Sequence, residues 1–275
     1  MKRLLCIGHC CHDRVKEGFS LGGTVSYVSF MAAKLGVQVS VATSFGENFL
    51  FREDFKAFGI PLHNLSSIET TTFHNTYKGS QRMQVLEARA SDLDHAFLST
   101  LGKQWDMVLF APIANEVDFT VSELFPNIFK IATIQGALRT WDNKGLIAFQ
   151  AMDWEKLKGI DLLILSEEDI NYDYEYVNDM LHCVEHIVVT KAEAGCTVWY
   201  NGIKTEFPSF PVEKAVDFTG AGDVFALSYA IAFHSSHSYN FAARFANCAA
   251  SISIEGKGLE SLPSLSKIKE RMFLS

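Results

Sequence analysis

The chain has 275 residues, of which 48% are hydrophobic, and its 24 basic and 32 acidic side chains give a formal net charge of -8. This length allows one large α/β domain with ample apolar material for a core. The acidic balance and the lack of any basic run exclude a nucleic-acid backbone binder, because such binding rests on clustered Lys and Arg.

The sequence also argues against a membrane protein. No stretch approaches the ~20 consecutive apolar residues that a spanning helix needs. The apolar run at 4–7 ends at Gly8-His9 and is too short for a signal peptide. The six cysteines mostly lie within apolar runs, as reduced and buried thiols do. We therefore expect a cytoplasmic protein, and the sequence leaves monomer and homodimer equally open.

Short apolar runs alternate with helical stretches along the chain. Strands are predicted at Leu4–Ile7, Val37–Ala42, Met107–Ala111, Ile131–Ile134, Leu162–Leu165 and Ile187–Val189. Helices are predicted at Val25–Leu35, Leu50–Phe58, Val117–Phe125, Glu167–Leu181, Ala221–Phe233, Phe241–Ile254 and 264–273. Continuous apolar runs are typical of strands covered on both faces. The alternation thus predicts an α/β fold, a three-layer αβα sandwich around a mainly parallel sheet.

Two segments interrupt this alternation. Residues 13–20 follow the first strand without a helical pattern, and residues 70–88 alternate in the manner of a hairpin around a turn at Lys78-Gly79-Ser80. We predict a single domain over residues 1–275, in which residues of about 13–20 and 70–88 form a small β-flap. Such a flap is a plausible lid.

The segment from Asp217 to Asp223 carries the strongest chemical signal. Gly220 and Gly222 surround Ala221 and leave the backbone N–H groups unobstructed, while the helix that follows contributes partial positive charge at its start. This arrangement suits an anion, and Asp223 at the same helix start could accept a proton from a hydroxyl held against a bound phosphate. Taken alone, the motif fits an ordinary helix cap equally well.

A second motif lies near the N-terminus, where Gly22-Gly23 opens a helix of small residues that ends in Lys34-Leu35-Gly36. With both motifs present in this order, the chain resembles the ribokinase/phosphofructokinase-B family of carbohydrate kinases along essentially its whole length. The resemblance implies a phosphotransferase that uses ATP and Mg²⁺ to phosphorylate a hydroxyl of a sugar, nucleoside or similar polyol.

The resemblance assigns roles to individual residues. It makes Asp223 the catalytic base and the amides of Gly220, Ala221 and Gly222 the anion hole for the transferring phosphoryl group. The implied substrate-binding residues are Asp13, Gly22, Gly23, Tyr27, Arg82 and Arg139. The implied donor-binding residues are Thr190, Lys191, Gly195, Thr219, Asn247 and Ala250. The competing interpretation is that Gly22 and Gly23 only shape a turn. The charged side chains of Asp13, Arg82, Arg139 and Lys191 would then be solvated.

Two positions depart from the family pattern. The Asn that commonly follows the Gly-Gly pair is Tyr27 here, and the Asn-x-x-Glu motif that organises Mg²⁺ water reads Ser166 to Asp169. Asp169 keeps a carboxylate and is the predicted metal ligand, since Mg²⁺ prefers hard oxygen ligands. The aromatic Tyr27, the segment Gly8 to Asp13, the Gln-Gly-x-x-Arg segment at 135–139 and the ending Glu255 to Gly258 together resemble the inositol-kinase-like branch, which slightly favours a cyclitol acceptor.

Two other functions remain open at this stage. The altered Tyr27 and Ser166 positions allow a catalytically silent relative that only binds a sugar or nucleotide. The sequence around Ser20 also matches the Gly-x-Ser-x-Gly elbow of serine hydrolases, although the charged residues before it make a poor core strand. The consecutive residues His9 to His12 do not predict a metal centre, because neighbouring strand residues point to opposite faces.

Overall fold

The computed structural model describes residues 2–78 and 81–274, except for the side chains of residues 77, 78, 81, 82 and 274. Its strands are β1 (Arg3–Ile7), β2 (Cys11–Val15), β3 (Gly18–Gly22), β4 (Gln38–Phe45), β5 (Leu62–Ser66), β6 (Thr72–Lys78), β7 (Gln81–Ala88), β8 (Met107–Phe110), β9 (Phe129–Thr133), β10 (Arg139–Trp141), β11 (Ile147–Phe149), β12 (Leu162–Ser166), β13 (His186–Thr190), β14 (Cys196–Tyr200) and β15 (Ile203–Phe207). Its α-helices are α1 (Thr24–Lys34), α2 (Arg52–Ala57), α3 (His95–Ser99), α4 (Glu175–Met180), α5 (Ala221–Ser236), α6 (Tyr239–Ser253) and α7 (Leu265–Leu274).

The central sheet has nine strands in the order β15-β14-β13-β12-β9-β8-β1-β4-β5. From β13 to β5 every neighbouring pair is parallel, whereas β14 and β15 add an antiparallel edge. The strands β1, β8, β12 and β13 are buried on both faces, which explains their continuous apolar runs. The predicted α/β class with a mainly parallel sheet is confirmed.

Two apolar cores lie on opposite faces of this sheet. In β1, Leu4 and Cys6 pack into one core, while Leu5 and Ile7 pack into the other. The first core is covered by α1, α2, α5, α6 and α7, and the second by α3, α4 and several short 3-10 helices. This is the predicted three-layer arrangement. Among the described residues, no helix is both long and apolar enough to cross a membrane.

Two predicted helices are wrong. The stretch Val117–Phe125 forms only a 3-10 helix, Phe119–Leu124, which Asp118 caps by accepting from the Thr120 N–H. The stretch Glu167–Leu181 is interrupted because Asn171 and Tyr172 adopt positive φ angles of 50° and 60°, a conformation that ends a helix. Only a 3-10 turn at Glu168–Ile170 and the short helix α4 remain.

The two segments that broke the sequence pattern form a separate four-stranded sheet, β3-β2-β6-β7, called here the flap sheet. Residues 13–20 belong to the antiparallel hairpin of β2 and β3, and residues 70–88 contain the predicted hairpin of β6 and β7. Gly79 and Ser80 of its predicted turn lie outside the described residues. A small apolar cluster that includes Cys11, Phe73 and Ile113 joins the flap sheet to the body.

Candidate active site

The carboxyl ends of the parallel strands bring the predicted site residues to one edge of the sheet, where open α/β sheets commonly bind ligands. The flap strand carrying Asp13 follows β1, and Arg139 comes shortly after β9. Asp169 follows β12 and Lys191 follows β13. The parallel sheet therefore brings residues that are far apart in the sequence close together.

The turn of Gly220, Ala221 and Gly222, called here the anion-binding turn after its predicted role, forms the start of α5. Gly220 precedes the helix in the left-handed conformation, at φ 76°, and the first turn of any helix leaves N–H groups without intrahelical partners. The N–H of Ala221, however, donates to the carbonyl of Phe218 at 3.2 Å. A Cβ added to Gly222 would meet nothing within 4 Å, so this face of the turn is open.

Asp223 lies in the first turn of α5 and is half-buried. Burial raises the pKa of its carboxyl group to about 6, and the charge of Asp169 acts in the same direction. A hydrogen bond from the Thr24 hydroxyl and the charge of Arg139 limit this rise. A carboxylate with a pKa this close to neutrality is suited to accept a proton during a reaction.

Tyr27 lies on α1 between the two glycine motifs. Burial raises the pKa of its phenol, and the nearby charges of Asp223, Asp13 and Asp217 raise it further. The hydroxyl group therefore stays protonated and can donate a hydrogen bond. A Cβ on Gly220 would lie 2.5 Å from the Tyr27 ring, so Tyr27 contacts the anion-binding turn directly.

The inner face of the flap sheet presents polar side chains around Asp13. The Asn75 amide donates to Asp13 at 3.5 Å, and the Gln84 amide donates to Asn75 at 3.0 Å. Gly22 lies against the Asp13 carboxylate, where a Cβ would clash. The sequence analysis assigned no role to Asn75 or Gln84. The two-residue period of β6 already placed Asn75 on the same face as the buried Phe73.

Arg139 reaches the same region from the segment that follows β9. Its Nη1 donates to the Ile113 carbonyl at 2.8 Å, its Nη2 donates to Gln135 at 3.0 Å, and the guanidinium lies 5.4 Å from the Phe73 ring centre. Its charge also acts on Asp223. The other predicted arginine, Arg82, is on β7, and its side chain lies outside the described residues.

Gly23 joins α1 to the flap. It adopts φ 95°, and a Cβ there would clash with the carbonyl of His9. This glycine is required by the backbone and by the close approach of the two segments. The structure therefore gives Gly23 an architectural role next to the predicted substrate residues.

The predicted donor-side residues lie around the end of β13. The Lys191 ammonium group is 3.3 Å from Glu206, and Thr190 pairs with Ser166 of the neighbouring strand. Gly195 has φ 93° and lies against the backbone of residues 207–209. These residues are adjacent to one another, and their contact with a donor remains a prediction.

The remaining donor-side predictions fall on α5 and α6. Asn247 is buried, and its amide donates to the Pro208 carbonyl at 3.2 Å, which is a structural contact. Ala250 is half-buried three residues further along α6. The Thr219 N–H donates to Asp217 at 2.9 Å and thereby shapes the approach to the anion-binding turn.

Asp169 and Ser166 hold each other in place. Asp169 accepts from the Ser166 N–H at 2.8 Å, and the Ser166 hydroxyl accepts from the Asp169 N–H at 3.2 Å. Within the described part of the chain, no group of three or more His, Cys, Asp or Glu could hold a metal ion. Asp169 nevertheless offers a carboxylate oxygen of the kind that suits Mg²⁺, which usually keeps several waters and binds donor phosphates.

Ser20 does not occupy a nucleophile elbow. It lies within the antiparallel strand β3, opposite Asp13, and its hydroxyl donates to the Asp13 carbonyl at 3.4 Å. The elbow requires a sharp turn between a strand and a helix, so the geometry does not support the hydrolase hypothesis.

Comparisons with known proteins find carbohydrate and nucleoside kinases among the similar proteins. A model of the pfkB family of carbohydrate kinases matches residues 147–265. Inositol 3-kinase of Arabidopsis thaliana is 24% identical over 291 residues, covering 98% of this chain and 80% of that protein. Nucleoside kinase of Methanocaldococcus jannaschii is 29% identical over 97 residues, a match that spans 35% of this chain and only 32% of the kinase.

Solved structures share the fold. Ribokinase from Thermotoga maritima superposes with a TM-score of 0.80 at 20% identity, covering 99% of this chain and 100% of that one. Arabidopsis thaliana ribokinase, solved with ribose and ATP, superposes with a TM-score of 0.76 at 17% identity. The match covers 100% of this chain and 99% of that one. A pyrophosphate-dependent kinase, solved with a pyrophosphate analogue and myo-inositol, superposes with a TM-score of 0.78 at 20% identity. The match covers 94% of this chain and 98% of that one.

The fold and the carboxylate-bearing helix start thus define a protein of the ribokinase fold class. Within this fold class, residues 147–265 match the pfkB family of carbohydrate kinases, and nearly the whole chain is similar to an inositol 3-kinase.

Proposed function

We propose that this protein transfers the γ-phosphoryl group of ATP to a hydroxyl of a small polyol, with a cyclitol favoured over a furanose sugar. The observation that carries the proposal is the position of Asp223. Its carboxyl group, with a pKa of about 6, shares the start of α5 with the open anion-binding turn. A proton acceptor and a phosphate site are thereby adjacent.

The chemistry follows from this adjacency. Asp223 takes the proton from the acceptor hydroxyl, and the oxygen forms a bond to the γ-phosphorus as the bond to the β–γ bridging oxygen breaks and ADP leaves. The open N–H groups at the start of α5 stabilise the charge on the transferring group. General-base assistance of this kind contributes about 10²–10⁴ in rate.

The acceptor class is inferred from the side chains around Asp13. The Asp13 carboxylate, the amides of Asn75 and Gln84, and the Tyr27 hydroxyl offer both donors and acceptors, which suits a ring with several hydroxyl groups. The inositol 3-kinase relative and the neighbour solved with myo-inositol support the cyclitol.

The donor and the metal complete the proposal. ATP is supported by the Arabidopsis ribokinase solved with it, whereas the neighbour that depends on pyrophosphate makes pyrophosphate the alternative donor to test. Asp169 would hold Mg²⁺, which would neutralise charge on the donor phosphates. We assign Lys191 to the donor phosphates as well.

The flap sheet is proposed to act as a lid. It carries Asp13, Asn75 and Gln84, and its strand β2 follows shortly after the carboxyl end of β1. Closure over a bound polyol would exclude water, which otherwise competes as the phosphoryl acceptor.

The decisive experiment measures phosphorylated product and ADP or phosphate release across a panel of cyclitols, sugars and nucleosides, with ATP and pyrophosphate in parallel. We expect product with ATP and at least one cyclitol, and a rate at least about 100-fold lower with the Asp223→Asn variant under the same conditions. Ligand binding without product across the whole panel would instead favour the catalytically silent relative.

A further inference from the structure

Glu116 is a buried carboxylate for which the proposed chemistry has no use. Its side chain is 0% exposed. It accepts from the backbone N–H groups of His9 at 2.8 Å, Ile113 at 3.0 Å and Ala114 at 2.7 Å. Burying a carboxylate is costly unless hydrogen bonds replace its water, and these short bonds to N–H groups do so.

The imidazole closest to Glu116 does not act as its counter-ion. His9 Nδ1 is 4.0 Å from the carboxylate, and its two ring nitrogens are already paired with the Thr71 hydroxyl and the Ser91 carbonyl. Burial lowers the pKa of His9 even though Glu116 raises it, so the imidazole is neutral near pH 7. The backbone amides therefore stabilise Glu116.

These amides belong to two segments of the site. His9 lies between β1 and the flap sheet, whereas Ile113 and Ala114 lie in the loop that follows β8. One carboxylate thus ties the entrance of the flap to this loop. A shared, buried anchor of this kind fixes the loop because every alternative position would leave a charged group without partners.

The same loop holds Arg139. Ile113 donates its N–H to Glu116 and accepts at its carbonyl from Arg139 at 2.8 Å. The loop is also bonded to the segment of Arg139, because Gly136 donates to Pro112 at 3.1 Å and Asn115 donates to Gly136 at 3.0 Å. A long guanidinium side chain needs such fixed acceptors to keep one geometry.

We infer that Glu116 is a positioning residue that fixes the Ile113 carbonyl and thereby aims Arg139 at the bound acceptor. This inference rests on the proposed function and on the role in acceptor binding that the sequence predicts for Arg139. Glu116 itself touches neither substrate in this arrangement. Its effect reaches the acceptor only through the loop and Arg139.

The test compares Glu116→Gln, Arg139→Met and the double variant, with Glu123→Gln as the matched control on an exposed position. Glutamine keeps the size of Glu116 but turns an NH₂ group towards an N–H donor. We expect each single variant to raise the KM for the acceptor by about tenfold, as for one lost charged hydrogen bond, with the donor KM essentially unchanged. The double variant should be no worse than Arg139→Met, because both changes remove the same contact.

Two results would overturn the inference. One is a Glu116→Gln chain of lower Tm whose acceptor KM equals that of the Glu123→Gln control, which would leave Glu116 a purely structural role. The other is a double variant whose acceptor KM is raised by the product of the two single increases. Should Glu116→Gln fail to fold, Glu116→Asp replaces it, and an unchanged acceptor KM there is equally contradictory.

Failure of the proposed function gives a different result. If the unmodified chain phosphorylates no acceptor with either donor, the kinase proposal falls, and calorimetric binding of myo-inositol to the same variants then tests the positioning role by itself. Weaker binding in both single variants, without further loss in the double variant, supports that role. Equal binding in all of them refutes it.

Discussion

Gly220, at the entrance to α5, lies directly against the aromatic ring of Tyr27 on α1, where a Cβ would be 2.5 Å from the ring. The glycine-rich turn at the start of α5 and the helix α1 therefore share one surface. Because Gly220 also adopts φ 76°, both backbone conformation and space exclude a side chain at this position.

The two glycines of the turn should respond differently to alanine. Gly220→Ala should destabilise the fold by about 1–2 kcal/mol or more, from left-handed strain and the clash with Tyr27. Gly222→Ala meets no atom within 4 Å, so its Tm should stay the same, while its methyl group narrows the space for the phosphoryl group and lowers kcat. Equal Tm losses in both variants, measured by thermal unfolding, would argue against this difference.

Activity should rise with pH as Asp223 loses its proton, because only the ionised carboxylate can act as base. With a pKa of about 6, kcat/KM should fall roughly tenfold per pH unit below that value. Thr24→Val removes the hydroxyl that donates to Asp223 and should therefore move the acidic limb of the profile to higher pH. A limb that stays in place would show that another group controls it.

Replacing Tyr27 should change acceptor preference. Tyr27→Asn opens space beside Gly220 and restores an amide, so the ratio of kcat/KM for cyclitols to that for furanose sugars should decrease. Tyr27→Phe keeps the ring against Gly220 and removes only the hydroxyl group, so it should weaken acceptors without reversing the preference. An unchanged ratio in Tyr27→Asn would refute a specificity role.

Asn75 should contribute to acceptor binding. Asn75→Leu removes the amide between Asp13 and Gln84 and should raise the acceptor KM by about five- to tenfold, the value of one hydrogen bond. Thr76→Val, at the next and exposed position of β6, is the control and should have no effect. The steady-state KM for the acceptor is measured in both variants. Equal values in Asn75→Leu and Thr76→Val would exclude a contact between Asn75 and the acceptor.

Much of the architecture was predictable because one physical signal dominates it. Strands buried on both faces have continuous apolar runs, so β1, β8, β12 and β13 were located within a few residues. The antiparallel β15 was not predicted, since its partly exposed residues lack such a run. Left-handed Asn171 and Tyr172 were not predicted either. Asn adopts positive φ more readily than most residues, but its presence in a sequence does not by itself indicate that conformation.

The site was predictable only where a motif carries the chemistry. The turn at Gly220 and the carboxylate of Asp223 follow from composition and spacing, whereas the amide of Asn247 is occupied by the Pro208 carbonyl in a way that no local pattern indicates. Glu116 gave no signal at all, since its role depends on amides more than a hundred residues away as well as on near neighbours. Hydrogen bonds between residues that are far apart in the sequence can be located only once the fold is known.

The most direct test of the account is single-turnover phosphoryl transfer by Asp223→Asn beside the unmodified chain, with the acceptor identified from the panel. The account predicts a loss of about 10²–10⁴ in rate, with donor affinity and fold unchanged. A variant that transfers phosphate at the rate of the unmodified chain would contradict the assignment of Asp223 as the base and with it the proposed mechanism.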